Sequence, residues 1–137
     1  MAFDRNGNSH RVVLIDTNGF VSSGQFCLDL FDEITYLLGK CTYVIISEIA
    51  DELLHLSKGH GKDAAAARFG LQLLEKCDVL ACNPQWIGSV DDKIVAAAQE
   101  LGCYVVTNDR ELRQRLLNLG TAVIVVRGKK KLELIRK

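Results

Sequence analysis

The sequence is short of proline, has no surplus of charge of either sign, no close cysteine pair and no long apolar run. Each shortage removes a class of protein. No stretch approaches the roughly eighteen apolar residues a membrane helix needs. The polar start, MAFDRNGNSHR, has neither the hydrophobic segment of a signal peptide nor a lipidation motif. A soluble, cytosolic protein is expected, with no membrane association. Seventeen Lys and Arg are balanced by seventeen Asp and Glu, so the broad positive field of a protein that coats nucleic acid is missing. Any polyanion must be held locally. The five cysteines, Cys27, Cys41, Cys77, Cys82 and Cys103, are an odd number, widely spaced and without a CxxC pair. They read as reduced core residues rather than a zinc or disulfide framework. Of the three histidines, His55 and His60 have the wrong helical spacing for joint ligation, and His10 lies in the polar leader. The lone proline, Pro84, falls after a β-rich run, where a missing amide donor does little harm.

What is present suits one core. The chain has 137 residues, of which 48% are hydrophobic. That is enough apolar surface for a single domain spanning 1–137 and too little length for two. Only the leader, 1–10, and the tail, 128–137, differ in composition, and the Lys129, Lys130 and Lys131 run is read as a solvated end rather than a phosphate patch. Nearly all-apolar β-rich runs recur at 12–15, 43–47, 79–82, 104–107 and 122–126, as expected of buried parallel strands. Helical spacing lies between them. Cys27, Leu30, Phe31, Ile34, Leu37 and Leu38 form an amphipathic face that stops at Gly39. A second helix runs from Glu48 to Ser57; KGHGK then breaks the chain before an Ala-rich helix that Asp63 can cap. Helices from about Asp91 to Leu101 and Arg110 to Leu119 end at Gly102 and Gly120, residues suited to a left-handed cap. This alternation predicts a three-layer α/β/α sandwich around a parallel sheet of four or five strands.

The acids fall at informative places in that scheme. Asp16 directly follows the strand VVLI, and Asp109 closes VVTND, so both stand at carboxyl ends of strands, where open parallel sheets place their ligand sites. Glu52 lies one turn into the helix after the second strand. Asp91 starts the helix before YVVT and shares the inward stripe of Ile94, Val95, Ala98 and Leu101. Asp92, rotated by about 100°, is the neighbour expected to orient water at a metal. Clustered carboxylates repel one another and must take up protons or share a cation. All-oxygen ligation selects a hard ion, Mg²⁺ or Mn²⁺, which supports in-line attack on a phosphodiester. Any one of these acids alone is more simply a cap or a surface charge. Their joint placement is the functional signal.

DTN at 16–18, SEIADELLHL around Glu52, DDKIVAAAQELG from Asp91 and VVTNDRELRQRL around Asp109 resemble, in order, the successive motifs of the PIN-domain family. The likeness covers nearly the whole chain. It implies a ribonuclease in which Asp16, Glu52, Asp91 and Asp109 hold Mg²⁺ or Mn²⁺, with Asn18, Thr107 and Asn108 shaping the site. The family's spacing to the ELG helix end favours Asp91 over Asp92. The ending, TNDRELRQRL followed by GTAVIVVRGKKKLEL, is similar to archaeal single-domain members that range from VapC-type toxins to ribosomal-RNA processing nucleases. The toxin role would imply an antitoxin partner and a homodimer.

Other phosphate chemistries fit less well. A receiver domain needs an aspartate ending its third strand, a haloacid-dehalogenase-type phosphatase needs a second aspartate at position 18, and DTNGF is not a dinucleotide-binding glycine turn. The remaining rival is a PIN-like module that binds RNA or protein without cutting. Basic residues able to reach phosphate are few: Arg110, Arg113, Arg115, Lys58, Lys62 and the tail lysines. Arg110, adjoining Asp109, is the first choice for substrate binding.

Overall fold

The computed structural model describes residues 11–26, 29–81, 83–128 and 131–136. The leader 1–10, Cys27, Cys82, Lys129 and Lys130 therefore lie outside the described residues. Strands β1 (Arg11–Ile15), β2 (Cys41–Ile46), β3 (Cys77–Leu80), β4 (Tyr104–Val106), β5 (Val123–Gly128) and β6 (Lys131–Ile135) alternate with helices. These are α1 (Thr17–Gln25), α2 (Leu30–Leu38), α3 (Ser47–Ser57), α4 (Lys62–Leu71), α5 (Val90–Leu101) and α6 (Arg110–Asn118). The strands form one sheet in the order β3-β2-β1-β4-β5-β6. All neighbours from β3 to β5 pair in parallel, and β6 alone runs antiparallel, against β5.

The centre of this sheet is the part most plainly written in the residue types. Val13, Leu14, Ile15, Val105 and Val106 are completely buried, which explains why β1 and β4 are continuous apolar runs rather than alternating ones. The chain steps outward from β1 through β2 to β3, then crosses back to β4 and continues to β5. With right-handed crossovers, that reversal puts the two sets of connecting helices on opposite faces of the sheet, giving three layers. In keeping with this, α1, α3 and α4 pack on one another, while α5 packs on α6. The reversal also opens a crevice between the carboxyl ends of β1 and β4, the usual ligand position in open parallel sheets.

Several local expectations need correction. Helix α1 was not expected, because TNGFVSSGQ is poor in helix formers. Its glycines serve close packing instead: a Cβ on Gly24 would stand 2.4 Å from the Ala66 carbonyl oxygen, and one on Gly19 would stand 2.9 Å from that of Val106. Tertiary contact overrides propensity there. The first amphipathic helix begins at Leu30, where the Asp29 carboxylate accepts a hydrogen bond from Asp32 N–H at 3.1 Å. Asp63 does not cap α4; Gly61 holds that position at φ 95°, and Asp63 instead accepts from Gln25 Nε2 across to α1. The third strand starts two residues earlier than expected, since pairing Tyr43–Ile46 requires Cys77–Leu80.

The tail is the largest departure. Lys131–Ile135 is an edge strand, with Leu132, Leu134 and Ile135 half-buried against the core and Glu133 paired to Arg127 at 2.8 Å. Its charges masked a period of two, KLELI, that belongs to a strand. Other features follow the residue types. Gly102 and Gly120 take positive φ of 63° and 84° at the ends of α5 and α6. Cys41, Cys77 and Cys103 are free, and burial pushes the Cys77 and Cys103 thiols up to about 12 and about 11, so both stay protonated at neutral pH. Among the described residues no helix is long and apolar enough to cross a membrane.

Candidate functional site

Asp16 is the first residue after β1, and it is only 7% exposed. Its backbone N–H donates to the Val106 carbonyl at 3.1 Å, tying the end of β1 to the end of β4. From the β4 side the fully buried Thr107 completes the link. Thr107 Oγ1 donates to Asp16 Oδ2 at 2.9 Å and accepts from Asp109 N–H at 3.1 Å, so one hydroxyl sets the positions of two acids. Asp109 is the N-cap of α6, its Oδ1 accepting from Leu112 N–H at 3.0 Å. That cap satisfies one of the orphan donors at the helix start and leaves the second carboxylate oxygen outside the cap bond.

Glu52 is brought in from the second crossover. It lies on the exposed side of α3, and Thr17 Oγ1 donates to its Oε2 at 3.1 Å, so the residue after Asp16 fixes the second acid. Thr17 was not singled out beforehand, although the hydroxyl in DTN was the available signal. Nor was the ion pair of Lys93 with Glu48, which ties the start of α5 to the start of α3. Nothing in the local pattern of DDK or SEI marked that contact.

Electrostatics relate the four acids to one another. Burial raises Asp16, the Thr107 hydrogen bond opposes this, and the charges of Asp91 and Glu52 add to it, leaving the carboxyl at about 6. Asp91, half-buried on α5, is raised by burial first and by Asp109 next, with Arg115 pulling the other way. Thus Asp16 feels Asp91 and Glu52, and Asp91 feels Asp109. Asp92 differs in kind. It forms a capping box with Ser89, its Oδ2 accepting from Ser89 N–H at 2.9 Å, while its Oδ1 accepts from Arg115 Nη2 at 2.8 Å. Those bonds hold its carboxyl below the usual range. Both of its oxygens are engaged.

The polar residues expected to shape the site mainly brace its backbone. Asn18 Oδ1 accepts from Asn108 N–H at 2.7 Å. The Asn108 side chain spans Val126 like a short piece of strand, donating to its carbonyl at 2.9 Å and accepting from its N–H at 2.8 Å. Arg110 is exposed at the first position of α6, beside Asp109.

No group of three or more His, Cys, Asp or Glu side chains among the described residues forms a ready-made metal cage. The donor set is nevertheless all-oxygen, and two of its carboxyls, Asp16 and Asp91, are driven toward protonation by burial and by neighbouring acids. That combination fits an ion of the Mg²⁺ type, which takes one or two carboxylates directly and completes its shell with water and substrate phosphate. It does not fit a zinc site.

These differences separate the adjacent acids experimentally. Asp92→Asn is expected to lower the melting temperature modestly, chiefly by weakening the capping box with Ser89, with a minor effect on Mn²⁺ affinity. Asp91→Asn is expected to do the reverse. Parallel thermal melts and Mn²⁺-binding titrations check this; a larger loss of Mn²⁺ affinity for Asp92→Asn would reverse the roles.

The PIN-like domain profile matches residues 13–129. Ribonuclease VapC9 of Archaeoglobus fulgidus is 30% identical over 125 residues, covering 90% of this chain and 89% of its own. Among solved structures, the PIN domain endonuclease Utp24 superposes with a TM-score of 0.76 at 27% identity, covering 92% of each chain. The VapBC2 complex of Rickettsia felis, bound to a DNA fragment from its promoter, contains a chain with a TM-score of 0.61 at 18% identity, covering 85% of this chain and 99% of that one; the last is a likeness of fold. With a profile that runs from β1 to the end of β5 and a relative matched along nearly its full length, this chain belongs to the PIN-like domain family.

Proposed function

We propose that this protein is an endoribonuclease that hydrolyses RNA phosphodiesters, using Mg²⁺ or Mn²⁺ held by Asp16, Glu52, Asp91 and Asp109 within a single PIN-like domain. The observation that carries this reading is the buried Asp16 carboxyl at the strand reversal, raised to about 6 with two further acids acting on it. A chain gains no stability from such an arrangement, since burial and like charge both work against the ionised form. A bound cation would relieve both. The relatives named as a ribonuclease and as an endonuclease support the same activity.

Each residue has a part that follows from its contacts. Thr107 holds Asp16 and the backbone of Asp109 in fixed relation, and Thr17 does the same for Glu52. Asn18 and Asn108 keep the loops after β1 and β4 in register with β5. Arg110 stands at the rim beside Asp109, where it can meet a phosphate. When bound, the divalent ion supplies charge neutralisation at the phosphodiester and a more acidic water. The protein would contribute partial preorganisation, since Thr107 holds Asp16 and Thr17 holds Glu52 before any ion arrives.

The direct test is cleavage of single-stranded and structured RNA with and without divalent ions. Activity is expected with Mg²⁺ or Mn²⁺ and is expected to vanish with EDTA and return on re-addition. Full activity in EDTA would overturn the mechanism, and RNA binding without cleavage under any ion would make the protein a non-catalytic module. The VapC-type role would make the protein a cytosolic homodimer restrained by an antitoxin, a partner that the ribosomal-RNA processing role does not imply. A small antitoxin gene beside this one, and inhibition by its product, would distinguish them.

A further inference from the structure

A phosphodiester approaching four carboxylates is repelled unless positive charge offsets them, and what the divalent ion does not supply a chain of zero net charge must supply locally. Arg115, on the second turn of α6, is placed for this. Its Nη2 donates to Asp92 Oδ1 at 2.8 Å, which carries the guanidinium from α6 to the start of α5, one residue from Asp91. Its charge is felt at Asp91 itself. The contact engages Nη2, and 43% of the side chain is open to solvent. A guanidinium has five donors in a planar fork, so the Asp92 contact leaves donors to spare.

The partner is equally suggestive. Asp92 is already committed to Ser89 through the capping box. Its bond to Arg115 is a pair between side chains 41% and 43% exposed, of a kind that adds little to stability. What the pair does accomplish is orientation, keeping a long and otherwise mobile side chain beside the acid cluster. We infer that Arg115 is a phosphate-contacting residue of the RNA site, parked on Asp92 in the free protein and transferred to the RNA backbone on binding. This rests on the ribonuclease reading above and extends it to a residue one and a half turns beyond Arg110, where the contacts place the charge.

The test measures binding of a fluorescein-labelled single-stranded RNA of mixed sequence in Ca²⁺ across a salt series. The wild type is compared with Arg115→Ala, Arg115→Gln, Arg115→Lys and Arg110→Ala, each melted alongside. Arg115→Ala is expected to weaken binding about tenfold at low salt, as loss of one charge-assisted contact does. It is also expected to flatten the dependence of log affinity on log salt by about 0.7, the loss of one phosphate contact on a single strand. Arg115→Gln, which keeps most of the stem and removes the charge, is expected to match it, so the result stands even if the alanine variant folds poorly. Arg115→Lys is expected to recover the slope but only part of the affinity. An unchanged slope in both neutral variants, with the wild type binding RNA, would overturn the assignment while leaving the ribonuclease reading intact. A wild type that binds no RNA would overturn both.

Discussion

Asp16→Asn is expected to lower RNA cleavage by on the order of 10²–10³-fold or more, comparable to removing a principal charge-stabilising group, while making the ion-free protein more stable at neutral pH. The substitution changes side-chain volume little, and an amide oxygen can still accept from Thr107 Oγ1. What disappears is a charge that burial and two neighbours disfavour, an inference from the carboxyl's position at about 6 instead of 3.8. Between those two values the folded state holds more protons than the unfolded chain. Stability contributed by this group is therefore present at low pH and lost as pH rises through about 6, and the full penalty applies above it. A displacement of about two units corresponds to at most about 3 kcal/mol. Urea unfolding in EDTA from about pH 4 to 7 should show the wild type losing stability across that window and Asp16→Asn losing much less. Equal slopes would mean that Asp16 is not the strained group. Retained turnover would mean that it is not at the reaction centre.

A Gly24→Ala change is expected to destabilise the fold by about 3 kcal/mol, near the upper end for overpacking. Two effects oppose each other. Alanine in a helix interior is favoured over glycine by roughly 1 kcal/mol, yet the new methyl would lie 2.4 Å from the Ala66 carbonyl oxygen, a backbone atom of α4 that cannot rotate away. Relief requires α1 and α4 to move apart, reducing contact along the whole pair, so the clash outweighs the propensity. For a chain of this size the melting temperature should fall by about 10 °C. Because α1 starts directly after Asp16 and carries Thr17, the displacement would also loosen the Thr17–Glu52 bond, and cleavage should fall at temperatures well below the melt. A melting temperature equal to the wild type's would show that the two helices do not approach as closely as described.

Much of this protein could be read along the chain because the relevant signals are local or periodic. Continuous apolar runs marked β1, β2, β4 and β5, and glycines marked the ends of α5 and α6. The position of Asp16 and Asp109 at strand ends was visible for the same reason: a strand followed at once by an acid needs no knowledge of the partner strand. The resemblance of four ordered motifs supplied the family. Helix α1 was not legible, since its residues are helical only by virtue of what Gly19 and Gly24 allow to come close. Strand β6 was hidden because a lysine-rich end looks solvated until the edge of β5 is there to pair with it.

The division is sharpest at the site itself. Residue types and their order placed Asp16 at the end of β1 and Asp109 shortly after β4, at the carboxyl edge of a parallel sheet. Tertiary structure alone decided how they relate: Thr107 joins Asp16 to the backbone of Asp109, Thr17 reaches Glu52 across 35 positions of sequence, and adjacent Asp91 and Asp92 are given different surroundings. Asp92 is satisfied by Ser89 and Arg115, whereas Asp91 is half-buried and faces the charge of Asp109. Helix phase alone put Asp91 on the inward stripe and Asp92 off it, but their ionisation and hydrogen bonding depend on atoms that arrive from distant segments only when the chain has folded.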